Sequence, residues 1–265
     1  MHKYSNGSSY EGQWRGNQRH GEGVFKWASG AQYSGGFRND RKHGQGSMIY
    51  PDGSTYKGEW RNDKRNGHGE FKWLNNTSYT GDFRDDLMHG EGTYIGEDGS
   101  QYTGTWRNNK KNGNGKMTYA DGGVYSGTWH DDMRDGEGHM TWPNGTTYEG
   151  EFIDGIKHGS GTYTWPNKSQ YVGDWEHGKR KGHGTMTYPD GNKYQGCFND
   201  NLKEGRGIFT FADGSSYVGD WKNDLKDGKG IFKWSDGSKF NGEWLEGESR
   251  AGTLFSADGT VRKIT

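Results

Sequence analysis

The chain has a single cysteine, Cys197, so it can form neither an internal disulfide nor the thiolate set of a structural zinc site. No run of about 18 apolar residues occurs, as a membrane-spanning helix requires. The opening residues, MHKYSNGSSY, lack the apolar centre and small-residue cleavage site of a secretory signal, and a soluble, cytoplasmic protein is expected. Charge of either sign is not in excess: the formal net charge is -1. That balance, with no recognition module, argues against a nucleic-acid partner. Hydrophobic residues make up only 27% of 265, too few for a conventional aliphatic core, yet the low net charge is not that of a disordered chain.

What the chain has instead is glycine and rings. There are 49 glycines, 12 tryptophans, 16 tyrosines and 11 phenylalanines, and rings bury more area per residue than aliphatic side chains. Their order is periodic. Tyrosine recurs at 10, 33, 56, 79, 102, 125, 148, 171, 194 and 217, with Phe240 next, at a constant interval of 23 residues. A fixed period in this range is the mark of a repeat array. The reading is one array over 1–265, with a partial unit at 1–9, ten full repeats at 10–239 and a degenerate cap at 240–265.

Within a unit such as YKGEWRNDKRNGHGEFKW, period-two alternation places Tyr56, Gly58 and Trp60 on one strand face, and Gly67, Gly69, Phe71 and Trp73 on that of a second strand. The six residues Arg61 to Asn66 read as a polar hairpin loop. Pro51, Asp52 and Gly53 read as the tight turn into the next unit, and the other prolines, Pro143, Pro166 and Pro189, stand at that same position. Glycine in a strand marks a close approach, here of the neighbouring rings to the backbone. All rings but Phe255 fall at four positions of the frame, so an all-β, single-layer twisted antiparallel sheet of hairpins is expected, with a ring face and a solvated polar face. Ten units of two strands, at ~4.8 Å per strand, would extend to roughly 100 Å.

The frame Tyr-x-Gly-x-Trp, six residues, Gly-x-Gly, then x-Asp-Gly before the next Tyr resembles the MORN (membrane occupation and recognition nexus) repeat from Tyr4 to about Gly259. The departures are small: Asn76 and Lys168 replace a turn glycine, Gly96 replaces a ring, and Phe alternates with Trp at Phe37, Phe83, Phe152 and Phe198. The resemblance implies an elongated single-layer sheet serving as scaffold or peptide-binding groove. Similar proteins occur in cilia, flagella and protist cytoskeletons, or fused to lipid kinases or methyltransferases.

Candidate sites follow from the two faces. A one-layer sheet cannot cover its own rings with a second layer, so the ring face is expected to bind a partner protein or another copy; Tyr56, Trp60, Trp73, Tyr102, Trp106, Tyr125, Trp129 and Trp142 represent it. The plain alternative is that each ring is simply core. The hairpin loops of the first five units carry more positive charge than those of the last five, and Arg38, Arg41, Lys42, Arg61, Lys64, Arg65, Lys110 and Lys111 are read as a basic edge for an anionic partner such as phospholipid. Asp and Asn interrupt that edge, which favours a solvating rim. His20, His43, His89 and His158 share a repeat position that elsewhere takes Asn, Asp, Glu or Lys, so no metal is assigned. The Gly-x-Gly pairs have no following helix, hence no nucleotide or other cofactor. No nucleophile and base stand outside the repeat, so no catalytic residue is assigned. Self-association is expected from the unpaired strands at the ends of an open sheet. The leading reading is a non-enzymatic cytoskeletal scaffold, of the cilium or flagellum axoneme. An adaptor for a motor or cargo peptide and a peripheral membrane protein are the alternatives.

Overall fold

Each 23-residue period folds as a hairpin because its sequence supplies two runs of alternating character and a turn at each end. In the third repeat, strands Thr55–Arg61 and Lys64–Lys72 are joined by Asn62 and Asp63 alone, with φ of 50° and 70°. Positive φ at both central residues is the type I′ geometry, whose twist suits a two-residue hairpin and which Asn and Asp tolerate. The expected six-residue loop is thus corrected: Arg61, Lys64, Arg65 and Asn66 lie in the strands. Their polarity reflects exposure near the hairpin end, not loop structure.

The computed structural model describes residues 1–265 and contains 24 strands and no helix. All pairings are antiparallel between neighbours in sequence, for example Gly58 with Gly69 inside a hairpin and Gly46 with Gly58 between hairpins. The chain forms two compact units, Met1–Met133 and Arg134–Thr265. Within each, strands pack only on their sequence neighbours, so each unit is a sheet of one layer. The all-β fold of tandem hairpins is the one expected from the period. A bulge between Gly58 and Trp60, opposite Gly67 in the left-handed region at φ 64°, shifts the register so that Trp60 faces Arg65.

The core lies on one face of this layer. Tyr56 lies flat along its own hairpin over Gly58 and Gly69; a Cβ built on Gly69 would run into the phenol ring. Its hydroxyl donates to the Glu59 carbonyl at 3.0 Å, and all ten repeat tyrosines do the same to the residue three places on. These tyrosines are at most 1% exposed. Burial pushes the Tyr217 phenol up to about 12, and the Tyr56 phenol higher. The opposite face is mainly polar in the first unit, as expected, with Ile49, Leu87 and Ile95 exposed singly. In the second unit Val172, Ile208, Val218 and Ile231 stand exposed there.

Removing the hydroxyl with Tyr56→Phe leaves the ring packing intact and unpairs one carbonyl acceptor, at a cost of about 1 kcal/mol. Gly69→Ala forces the ring off the backbone and costs about 3 kcal/mol or more. Amide hydrogen exchange across the third repeat reads both losses, and equal effects would contradict the packing described.

Candidate functional site

The ring face is built in three parallel rows. In the innermost, Trp60 meets the edge of its own Tyr56 at 5.1 Å and the preceding repeat's Tyr33 at 5.4 Å, with interplanar angles of 89° and 84°. Such edge-to-face pairs satisfy the ring quadrupoles. The indole Nε1 donates to the Gly46 carbonyl at 3.2 Å. Of the ring residues singled out from the sequence, Tyr56, Trp60, Tyr102, Trp106, Tyr125 and Trp129 are all buried here. This is a correction to their reading as partner contacts: rings of adjacent repeats cover one another, so no second layer is needed over them. Trp73 and Trp142 are different, for both remain half-exposed in an outer row.

That outer row holds the fourth ring of each frame. In the first unit Trp27, Tyr50, Trp73 and Tyr119 are half-buried; in the second, Trp142, Trp165, Tyr188 and Phe211 are half-buried and Trp234 is exposed. Gly96 leaves one gap. A hollow of about 400 Å³ opens between Tyr50, Arg65, Trp73, Asp86 and Met88.

Between the ring rows runs a row of cations that the sequence reading missed. Because Trp60 pairs across the hairpin with Arg65, the second residue of each second strand points to the ring face. Lys42, Arg65 and Lys111, read as part of a basic edge, therefore lie over rings, which corrects that part of the reading. Each cation covers the innermost ring of the following repeat, and the partners are matched. Arg19, Arg65, Arg134 and Arg180 cover Phe37, Phe83, Phe152 and Phe198 at 5.2 to 5.3 Å. Lys42, Lys111, Lys157, Lys203 and Lys226 cover Trp60, Trp129, Trp175, Trp221 and Trp244 at 3.8 to 5.0 Å. A phenyl ring leaves room for a guanidinium, whose Nη2 reaches on to the turn carbonyl of the next repeat, as Arg65 does to Asp86 at 2.8 Å. An indole fills that space and leaves room for an ammonium only. Met88, before Trp106, is the neutral exception. The signal was present in the sequence as Arg before Phe and Lys before Trp, one repeat apart.

Turn carboxylates tie successive repeats together. Asp63 Oδ1 accepts the Lys42 backbone N–H at 2.8 Å and Asp86 Oδ1 accepts that of Arg65 at 2.9 Å. The Arg19 backbone N–H and guanidinium likewise hold the Asp40 carboxyl below its ordinary range. Burial lowers Lys157 to about 8, with the Arg180 charge adding to it.

The remaining members of the basic edge lie at the hairpin ends. Arg38, Arg41, Arg61, Lys64 and Lys110 are exposed. Arg41, Arg61, Lys64 and Arg84 line a hollow of about 570 Å³ with Asn62, Asn66 and Asp85. Lys64 is 3.7 Å from Asp85, and Lys110 is 3.0 Å from Asp131. His183 Nε2 lies 3.5 Å from the Cys197 sulfur.

A one-layer sheet of hairpins with buried edge-to-face rings and stacked cations defines a tandem β-hairpin repeat protein. The MORN repeat matches ten consecutive segments, residues 10–32, 33–55, 56–78, 79–101, 102–124, 125–147, 148–170, 171–193, 194–216 and 217–239, and the chain belongs to that family. MORN repeats form a non-catalytic module of the protein-interaction and scaffold kind. Comparison with curated proteins returns no match. Among solved structures, the Drosophila melanogaster SAS-4 (dCPAP) TCP domain in complex with a proline-rich motif of Ana2 is 18% identical, over 59% of this chain and 85% of that one, with a TM-score of 0.37. The Danio rerio CPAP TCP10 domain with a STIL peptide is 9% identical over 96% and 97%, with a TM-score of 0.36. The G-box domain of the microcephaly protein CPAP is 14% identical over 75% and 99%, with a TM-score of 0.42. Overlaps this loose carry no functional argument.

Two outcomes are expected. Phe83→Trp alone crowds Arg65 and costs about 1–3 kcal/mol. Adding Arg65→Lys recovers most of that loss, a coupling a double-mutant cycle measures. Lys157 is protonated in the unfolded chain up to its ordinary value of 10.5 but only to about 8 when folded. The folded state thus binds fewer protons between these values, and this side chain's contribution to stability rises as pH increases from about 8 to 10.5. A ¹³C titration of its ε-carbon checks the lowered value, and a midpoint near 10.5 would contradict it.

Proposed function

We propose that the chain is a non-enzymatic scaffold that binds partner proteins along the outer ring row, within the cytoskeleton of a cilium or flagellum. The observation that carries this reading is that row in each unit: Trp73 with its neighbours in the first, and Trp142 with its neighbours in the second, stay half-exposed on a face that has no second layer. Rings partly open beside cations and turn carboxylates suit an extended or helical segment bearing apolar and charged side chains. The axonemal setting rests on the kinds of protein in which similar arrays occur. A motor or cargo adaptor using the same row is a narrower form of the same proposal, in which one peptide occupies it.

A second reading has its own observation. The hollow between Arg41, Arg61, Lys64 and Arg84 collects four cations against one carboxylate, Asp85, and supports contact with an anionic surface such as a phospholipid leaflet. The two readings differ in their response to salt, because exposed charge contacts are screened and ring burial is not.

Affinity capture from axonemal extracts separates them. Trp73→Ala with Trp142→Ala is expected to lower partner recovery at least tenfold while the core stays folded, since both rings lie outside the buried row. Recovery unchanged by these substitutions but lost with Arg41→Glu and Arg61→Glu, together with vesicle binding abolished by salt, would favour the anionic surface instead.

A further inference from the structure

The face opposite the rings carries an apolar stripe confined to the second unit. Register places Val172, Thr185, Gln195, Ile208, Val218 and Ile231 side by side on six successive strands. The four aliphatic members are 42 to 46% exposed, although β-branched residues on a sheet face are ordinarily covered. The equivalent row in the first unit holds one aliphatic residue, Val24, and otherwise polar ones such as Lys57, Glu70, Thr80, Thr93 and Thr103. Repeat geometry therefore does not require the stripe.

Two residues nearer the hairpin ends, a polar row runs alongside: Asp174, His183, Cys197, Arg206, Asp220 and Lys229, in strand order. A hollow of about 540 Å³ lies between the two rows, bounded by His183, Thr185, Arg206, Ile208 and Val218. The order of charges in the polar row is self-complementary. A two-fold axis parallel to the strands, passing between Lys193–Asn199 and Leu202–Thr210, sets each residue against its mirror position in a second copy. Asp174 then meets Lys229, His183 meets Asp220, and Cys197 meets Arg206. In the stripe, Val172 meets Ile231, Thr185 meets Val218, and Gln195 meets Ile208. On the far side Gln170, Thr187 and Lys193 meet Lys233, Ser216 and Thr210, so no like charges oppose. A two-fold axis along the stripe would instead set Lys229 against Lys233.

We infer that this face is an isologous interface between two copies of the chain, packed sheet to sheet across the stripe. Six strands at ~4.8 Å and three rows of side chains cover roughly 400 Å² per copy, about half the usual share of a stable interface. The dimer is accordingly weak, with a dissociation constant in the micromolar range, and the near-zero net charge of the chain does not oppose it. Cys197, the one cysteine, sits beside the axis, about one strand spacing across from its symmetry mate and one sheet spacing above it.

Sedimentation equilibrium of the full chain tests this, with cross-linking by a short bis-maleimide that acts through Cys197. The parent is expected to dimerise and to cross-link. Ile208→Lys, at an exposed position, should weaken dimerisation at least tenfold and abolish the cross-link. Lys229→Asp alone should weaken it, and Asp174→Lys with Lys229→Asp should restore it; that recovery cannot come from a misfolded chain. A monomer at every concentration up to about 200 µM would overturn the inference, since a micromolar dimer is well populated there. So would self-association that ignores Ile208→Lys, or a double charge variant no tighter than the single one.

Discussion

The contact on which the rest depends is that of a tyrosine ring lying on two glycines. Tyr56 can lie flat over Gly58 and Gly69 only because neither carries a Cβ, and its hydroxyl then reaches the Glu59 carbonyl. The ring is thereby fixed against its own backbone, giving the next indole or phenyl an edge to pack on. A sheet with no second layer thus gains a dry interior one ring deep. The density of glycine, which would weaken an ordinary strand, is the condition for that interior.

On this floor, the two ways of closing each junction solve one volume problem. A large ring with a slim ammonium and a small ring with a broad guanidinium occupy similar space, and both leave a cation over a ring face. The guanidinium adds a hydrogen bond to the following turn, while the indole adds one to the preceding glycine carbonyl. Either choice supplies a polar link between repeats in addition to the strand ladder. Alternation of the two along the chain changes the side chains without changing the 23-residue period.

Much of this was legible in the sequence, because both strands and their common face follow from the spacing of Tyr56, Gly58, Trp60, Gly69 and Phe71. The hairpin end was misread because Arg61, Lys64, Arg65 and Asn66 resemble a loop by polarity. Only the positive φ of Asn62 and Asp63 shows how short the turn is. Which rings stay open was also hidden. Trp60 and Trp73 are the same residue type, and their burial differs because the first is covered by the neighbouring repeat's Lys42 and Tyr33. The cation row could have been found by comparing Arg and Lys with the ring one repeat later, a correlation that a single unit does not display.

The turn carboxylates have a further consequence. Asp86 of one repeat caps the backbone of Arg65 in the repeat before it, and Arg65 in turn leans forward over Phe83. Every such link therefore points the same way along the chain, and the array is a vector. Neighbouring hairpins are not equivalent supports for one another: each is clasped by its successor and only rested upon by its predecessor.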